Sequence, residues 1–285
     1  MTILVTGDAG YIGGHMVLAL LEAGEAVTVL DNLSTGSRQT VPPEARFVEG
    51  DAGDSALVAR VLREDRVEAI LHFAGSVVAP DSVVDPLGYY RNNTLVSHAL
   101  LQEAVRAEVR HFIFSSTAAV YGAPADPFVD ETAPLAPINP YGASKMMTER
   151  MLRDVGAAHG LSFAILRYFN VAGADPAGRI GQSTPNATHL IKVALQTALG
   201  RRPRLEVFGD DYATPDGTCL RDYIHVADLA EAHLRALEHL RNGGGSEVFN
   251  CGYGTGHSVP EVIEAVRAAS GVQFEVVRKG RRAGD

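Results

Sequence analysis

A chain of 285 residues, 46% of them apolar, can bury a sizeable core in one large domain or in two that share a cleft. Its formal net charge of -9 excludes the broad basic face that grips a phosphate backbone, so nucleic acid is not an expected partner and any bound anion must be met locally. Two cysteines, Cys219 and Cys251, are too few for a disulfide framework and lack zinc-site spacing, no apolar run reaches the roughly eighteen residues of a membrane span, and no leader-like segment opens the chain; buried thiols, no metal, no membrane and a cytoplasmic location are expected.

Short β-rich runs at Ile3 to Thr6, Ala26 to Leu30, Ala45 to Val48, Ala69 to Phe73, His111 to Ser115 and Phe163 to Leu166 alternate with amphipathic stretches. Each parallel strand needs a covering crossover, so this rhythm predicts an α/β fold: a Rossmann-like doubly wound parallel sheet with ligands at its carboxyl edge. The turn Gly7-Asp8-Ala9-Gly10-Tyr11-Ile12-Gly13 joins the first strand to the first helix, where a pyrophosphate can rest on free backbone N–H groups. A glycine turn alone is weak evidence, because packing also produces one. Asp31, ending the second strand, adds to it: a carboxylate there accepts from adenosine ribose hydroxyls and repels a 2'-phosphate, favouring NAD over NADP, with a helix cap in a polar loop as the lesser alternative. Asp51 would face the adenine amino group or stand as a solvated loop carboxylate. His72 reads as a core histidine, and Phe73-Ala74-Gly75 as a shelf of small residues under the cofactor.

Thr117 follows the fifth strand, and Asn139-Pro140-Tyr141-Gly142-Ala143-Ser144-Lys145 starts a helix, with Asn139 as cap and Pro140 in the first turn. Tyr141 and Lys145 stand at i and i+4, so the ammonium can favour the phenolate and make the tyrosine a usable base. Singly, these residues read as packing, surface charge and strand end; jointly, at the ligand edge, they point to catalysis. Past Asn170 the pattern loosens: a helix near Thr188 to Leu199, a strand at Arg204 to Phe208, a turn at Thr214 to Gly217, and a helix from Val226 to Leu240 with a clear apolar face. Ser258-Val259-Pro260-Glu261 is a capping box opening a helix that stops at Gly271. The expected division is a dinucleotide-binding domain over 1–170, on which 222–241 packs back, and a smaller, irregular substrate-binding domain over 171–285.

The motifs GDAGYIG, Asp31-Asn32-Leu33, HFAG, Tyr89-Tyr90-Arg91-Asn92-Asn93, SSTAAVYG, NPYGASK, Arg167-Tyr168-Phe169-Asn170, DGTCLRDYIHVADLA and Arg281-Arg282-Ala283-Gly284-Asp285 resemble the extended short-chain dehydrogenase/reductase family along the whole chain, several of them its sugar-nucleotide epimerase branch. The resemblance implies tightly held NAD, proton removal by Tyr141 from a sugar 4-hydroxyl, and reversible hydride transfer at carbon 4 that interconverts UDP-galactose and UDP-glucose through a 4-keto sugar. Lys145 lowers the phenol's pKa and Thr117 takes the family's Ser/Thr position. Implied cofactor contacts are Gly7, Gly10, Tyr11, Ile12, Gly13, Asp31, Asn32, Leu33, Ser34, Thr35, Gly36, Asp51, Ala52, Phe73, Ala74, Gly75, Asn92 and Phe169. Asn170, His189, Leu190, Phe208, Arg221, Arg282 and Asp285 would hold the UDP half, the arginines meeting the diphosphate with forked charge-assisted bonds.

The chain departs from the family at Val77, where some members carry lysine, and at His189 and Lys192, where others have asparagine and proline; members also continue past the motif ending at Asp285. A 4,6-dehydratase would need an acid and a base beside the threonine, where this chain has Ala118 and Ala119. Action on another UDP-sugar, or a non-catalytic NAD-binding regulator, are the other readings, and the intact Tyr141 and Lys145 oppose the regulator. Leu95, Val96, Ala99 and Leu100 form an apolar stripe suited equally to a homodimer contact and to burial within one chain.

Overall fold

The computed structural model describes residues 1–124, 126, 128–184 and 188–282. In chain order the elements are β1 (Thr2–Thr6), α1 (Tyr11–Glu22), β2 (Ala26–Asp31), β3 (Arg46–Glu49), α2 (Ser55–Glu64), β4 (Val67–His72), α3 (Ala79–Val84), α4 (Pro86–Tyr89), a π-helical turn (Tyr90–Leu95), α5 (Val96–Arg106) and β5 (His111–Thr117). They continue with α6 (Pro140–His159), β6 (Ser162–Tyr168), β7 (Asn170–Ala172), α7 (Leu190–Ala198), β8 (Leu205–Phe208), β9 (Leu220–His225), α8 (Val226–Arg241), β10 (Glu247–Cys251), β11 (Gly256–Ser258), α9 (Val259–Ser270) and β12 (Val276–Lys279).

Seven strands make one parallel sheet in the order β10-β6-β5-β4-β1-β2-β3. The order reverses between β1 and β4, the switch point where open α/β sheets take ligands. β1 is buried but for its first residue and β4 throughout, as expected of strands covered on both faces. Below one face, Met16, Val17 and Leu20 of α1 meet Leu229, Leu237 and Leu240 of α8; on the other, Val58 and Leu62 of α2 join Leu100 of α5 and Leu152 of α6. Each fully buried leucine of this kind contributes about 1.5–3 kcal/mol.

The six expected strands are present within two residues at each end. β10 is an addition: it belongs to the chain after residue 170, yet it completes the main sheet beside β6. The rest forms a three-stranded sheet β11-β9-β7 and a two-stranded sheet β12-β8 packed with α7 and α9 through Ala194, Leu205, Ile263 and Val266. Cys251 is buried as expected; Cys219 is only partly so, because β9 begins next to it in the more open C-terminal region. Among the described residues, no helix is long and apolar enough to cross a membrane.

Candidate active site

The glycine turn needs its glycines. Gly7 has φ +75°, and a Cβ there would stand 2.4 Å from the Ala74 nitrogen, so the turn after β1 and the shelf after β4 lie in contact. A Cβ on Gly13 would meet the Asp8 Cα at 2.5 Å. Gly10 caps α1 without a side-chain bond, and the first turn, with Tyr11 and Ile12, carries no acid to compete with an anion for its N–H groups. Asp31 ties the turn to the next loop: Oδ2 accepts from Ala9 N at 3.0 Å and Oδ1 from Leu33 N at 2.7 Å. Within that loop Leu33 adopts φ +56°, Asn32 Oδ1 accepts from Ser34 N at 3.1 Å, and Gly36 sits so near Ala9 that a Cβ would reach its carbonyl oxygen at 2.5 Å. Thr35 follows in the same loop.

Asp51 receives Asn32 Nδ2 at 3.2 Å and Gly53 N at 2.7 Å, beside the buried Ala52. Asp51 and Asn92 line one open cleft of about 390 Å³ with Gly53, Asp54, Arg91 and Leu95. Crowded glycines, an uncapped helix start and this cleft fit a dinucleotide.

One acid sits awkwardly there. Asp8 is fully buried with both carboxylate oxygens unpartnered. Burial, reinforced by Asp31, pushes its pKa up to about 8, with Arg38 pulling the other way, so the acid is mostly protonated near pH 7.

The shelf meets the catalytic helix at Gly75, φ +150°, where a Cβ would stand 2.9 Å from Asn93 Oδ1 and 3.7 Å from Lys145 Nζ. Asn93, buried in the π-helical turn, accepts from Ser76 N at 2.7 Å and donates to Ser144 Oγ at 2.9 Å, while Asn92 donates to Ser76 Oγ at 2.8 Å. Sequence reasoning missed Asn93; the doubled asparagine in a motif rich in aromatics was the available signal. His72 is a core residue bonded to Thr6 Oγ1 at 2.7 Å and Ser97 Oγ at 2.9 Å, burial lowering its pKa to about 3. Val77, half exposed, brings no cation to this edge.

Asn139 Oδ1 caps α6 by accepting from Gly142 N at 2.9 Å. This starts the helix so that Tyr141 and Lys145 face the end of β5. Lys145, 2% exposed, donates to the Ser115 carbonyl at 2.9 Å and lies 4.9 Å from the centre of the Phe114 ring. Burial lowers the Lys145 pKa to about 8. Burial also raises that of Tyr141, and the hydrogen-bonding Thr117 hydroxyl pulls the other way. Desolvation is the larger of the two effects, so burial by itself opposes formation of the phenolate.

The expected substrate residues are gathered only in part. Asn170 starts β7 and bonds Tyr223 on β9, and Phe169 abuts Gly252. Arg282 lies over the Phe208 ring, 4.7 Å from its centre. His189 caps α7 without a side-chain bond to it and instead meets Gln182 at 2.7 Å; Leu190 follows and packs on the C-terminal cluster. Arg221 is exposed on β9, bonded to the Leu220 carbonyl at 2.9 Å. Asp285 lies outside the described residues.

A switch-point crevice with a glycine turn on one side and a Tyr-Lys pair on the other defines a dinucleotide-dependent enzyme of the Rossmann class, and the comparison with known families narrows it. The chain belongs to the NAD dependent epimerase/dehydratase family, whose model matches residues 3–252. It is 61% identical over 283 residues to the UDP-glucose 4-epimerase of Azospirillum brasilense, covering 99% of this chain and 81% of the relative. The crystal structure of UDP-glucose 4-epimerase from Brucella ovis in complex with NAD superposes with a TM-score of 0.96 at 44% identity, covering 100% of this chain and 87% of that one. The enzyme from Bifidobacterium longum in complex with NAD+ and UDP gives 0.94 at 38% identity, over 100% and 88%.

Proposed function

We propose that this chain interconverts UDP-galactose and UDP-glucose by inverting sugar carbon 4 while its cofactor stays bound. NAD, held at the glycine turn, would supply reversible hydride chemistry at that carbon. Tyr141 removes the proton of the 4-hydroxyl and gives it back to the same oxygen, which Thr117 hydrogen-bonds; the Lys145 ammonium favours the phenolate. Gly7, Gly10 and Gly13 cradle the pyrophosphate, Asp31 takes the adenosine ribose, and Asp51 with Asn92 borders the adenine. Asn170, His189, Leu190, Phe208, Arg221 and Arg282 hold the UDP half.

The observation that carries this reading is the meeting at Gly75 of the Lys145 ammonium and the Asn93 amide, next to the Tyr141–Thr117 pair and one strand from the glycine turn. Incubation with UDP-galactose and no added reductant is expected to yield UDP-glucose. Net reduction, or loss of water, would place the chemistry elsewhere in the family.

We also infer a homodimer in the cytoplasm. Leu100 of the apolar stripe is fully buried within the chain, but Leu95 is 61% exposed and Met147 of the neighbouring α6 is 41% exposed, which favours a partner on that face. Light scattering is expected to give about twice the 30.3 kDa of one chain. A monomer at that mass removes the inference.

A further inference from the structure

Tyr141, Lys145 and Glu149 stand at i, i+4 and i+8 on α6 and share one face. Glu149 and Arg167 of β6 are each 1% exposed and pair as a fork: Arg167 Nε donates to Oε1 at 2.9 Å and Nη2 to Oε2 at 2.5 Å. Ser116 Oγ donates to the same Oε1 at 2.5 Å. The other arm of Arg167, Nη1, donates to Tyr121 Oη at 2.9 Å, and Tyr121 Oη donates to Asn250 Oδ1 of β10 at 2.7 Å.

Two of these anchors adjoin the site in sequence. Ser116 lies between Ser115, whose carbonyl receives Lys145, and Thr117; Arg167 precedes Phe169 and Asn170 by two and three residues. Taking two charges out of water offsets most of their attraction, and apolar residues of similar volume commonly stabilise a fold as well. A planar fork, by contrast, accepts one orientation and one separation.

We propose that the Glu149–Arg167 pair is a positioning device: it sets the rotation of α6 over β5 and β6, and thereby the spacing of the Tyr141 phenol, the Lys145 ammonium and the Thr117 hydroxyl. It rests on the reading of Tyr141 as the base. The double change Glu149→Leu with Arg167→Met removes both charges together, so no buried ion is stranded and the net charge is unaltered.

In the NAD-loaded protein, tyrosinate absorbance measured against the same protein carrying Tyr141→Phe reads ionisation of this one phenol without turnover. The double variant is expected to melt cooperatively, to hold about tenfold less tyrosinate at a given pH, and to lose about tenfold in kcat with KM for UDP-galactose within about threefold, part of the loss returning at higher pH. A folded double variant with unchanged tyrosinate titration and kcat overturns the proposal. Should the double variant not fold, Ser116→Ala, which leaves the ions paired, carries the test: the same shifts at smaller size support positioning, and their absence overturns it. Full activity in Tyr141→Phe would instead sink the reading of the base, a distinct failure.

Discussion

The phenol of Tyr141 is the group we propose as the base, and burial works against its ionisation while the Thr117 hydroxyl works for it. Tyr141→Phe removes the proton acceptor and little volume. It is expected to retain NAD, read by ultraviolet absorbance of the purified protein, and to lose about 10²- to 10⁴-fold in kcat, the usual worth of a positioned base. Asp8 offers a separate test. Its carboxyl titrates at about 8 in the fold against an ordinary 3.8, so between those values the folded chain holds the extra proton. The stability this contributes is complete below about pH 4 and is lost as pH rises to about 8. Asp8→Asn keeps the shape without the ionisation, so its melting temperature should exceed that of the unaltered protein increasingly from about pH 5 to 8, by the equivalent of on the order of 5 kcal/mol at the top. Parallel curves for the two proteins would mean that Asp8 does not titrate out of its ordinary range.

Helix starts carry both stability and chemistry here. Asn139 caps α6 two residues ahead of Tyr141, and Ser258 caps α9, a helix that carries neither Tyr141 nor Lys145, in a capping box with Glu261. Asn139→Ala and Ser258→Ala are each expected to cost about 1 kcal/mol in urea unfolding, but only the first should lower kcat, because only it loosens the turn that aims the phenol. Equal kcat in the two variants would detach the cap from the chemistry. Both caps were legible in the sequence, as were the six expected strands, since a signal of either kind is local: a polar residue before an apolar period, or a short run rich in apolar and β-forming residues. β7, β9, β11 and β12 were not, because they are short, partly exposed and polar, and what makes them strands is their partners. The π-helical turn and the Glu149–Arg167 fork escaped for the same reason: an extra residue in a turn leaves the apolar period nearly intact, and a pairing across eighteen residues of sequence needs the packed helix to exist. At the site, the roles proposed for the turn glycines, Asp31, Tyr141 and Lys145 rest on spacing together with their place at the ligand edge of the sheet. The burial of Asp8 could not be read in the sequence, since nothing local tells a buried acid from a solvated one.

Across the molecule the chain repeatedly recrosses its expected boundary. α8 packs on β5 and β6 and beside α1, and Arg241 at its end reaches Glu25 before β2 at 3.0 Å and also Glu68 of β4. β10 pairs residue for residue from Glu247↔Ala164 to Cys251↔Tyr168. Residues 1–170 made alone would leave β6 as a bare edge and Tyr121 without Asn250, and are expected to pellet on centrifugation where the full chain stays in solution. A clear supernatant holding that fragment as a folded monomer would contradict this. During synthesis the same gap becomes a delay: at about 5 to 20 residues per second, the ribosome needs several seconds or more after releasing β6 to deliver the strand that covers it. Through that interval the nascent chain offers an adhesive flank to any neighbour emerging on the same messenger, so crowded polysomes should be where this protein is most often lost.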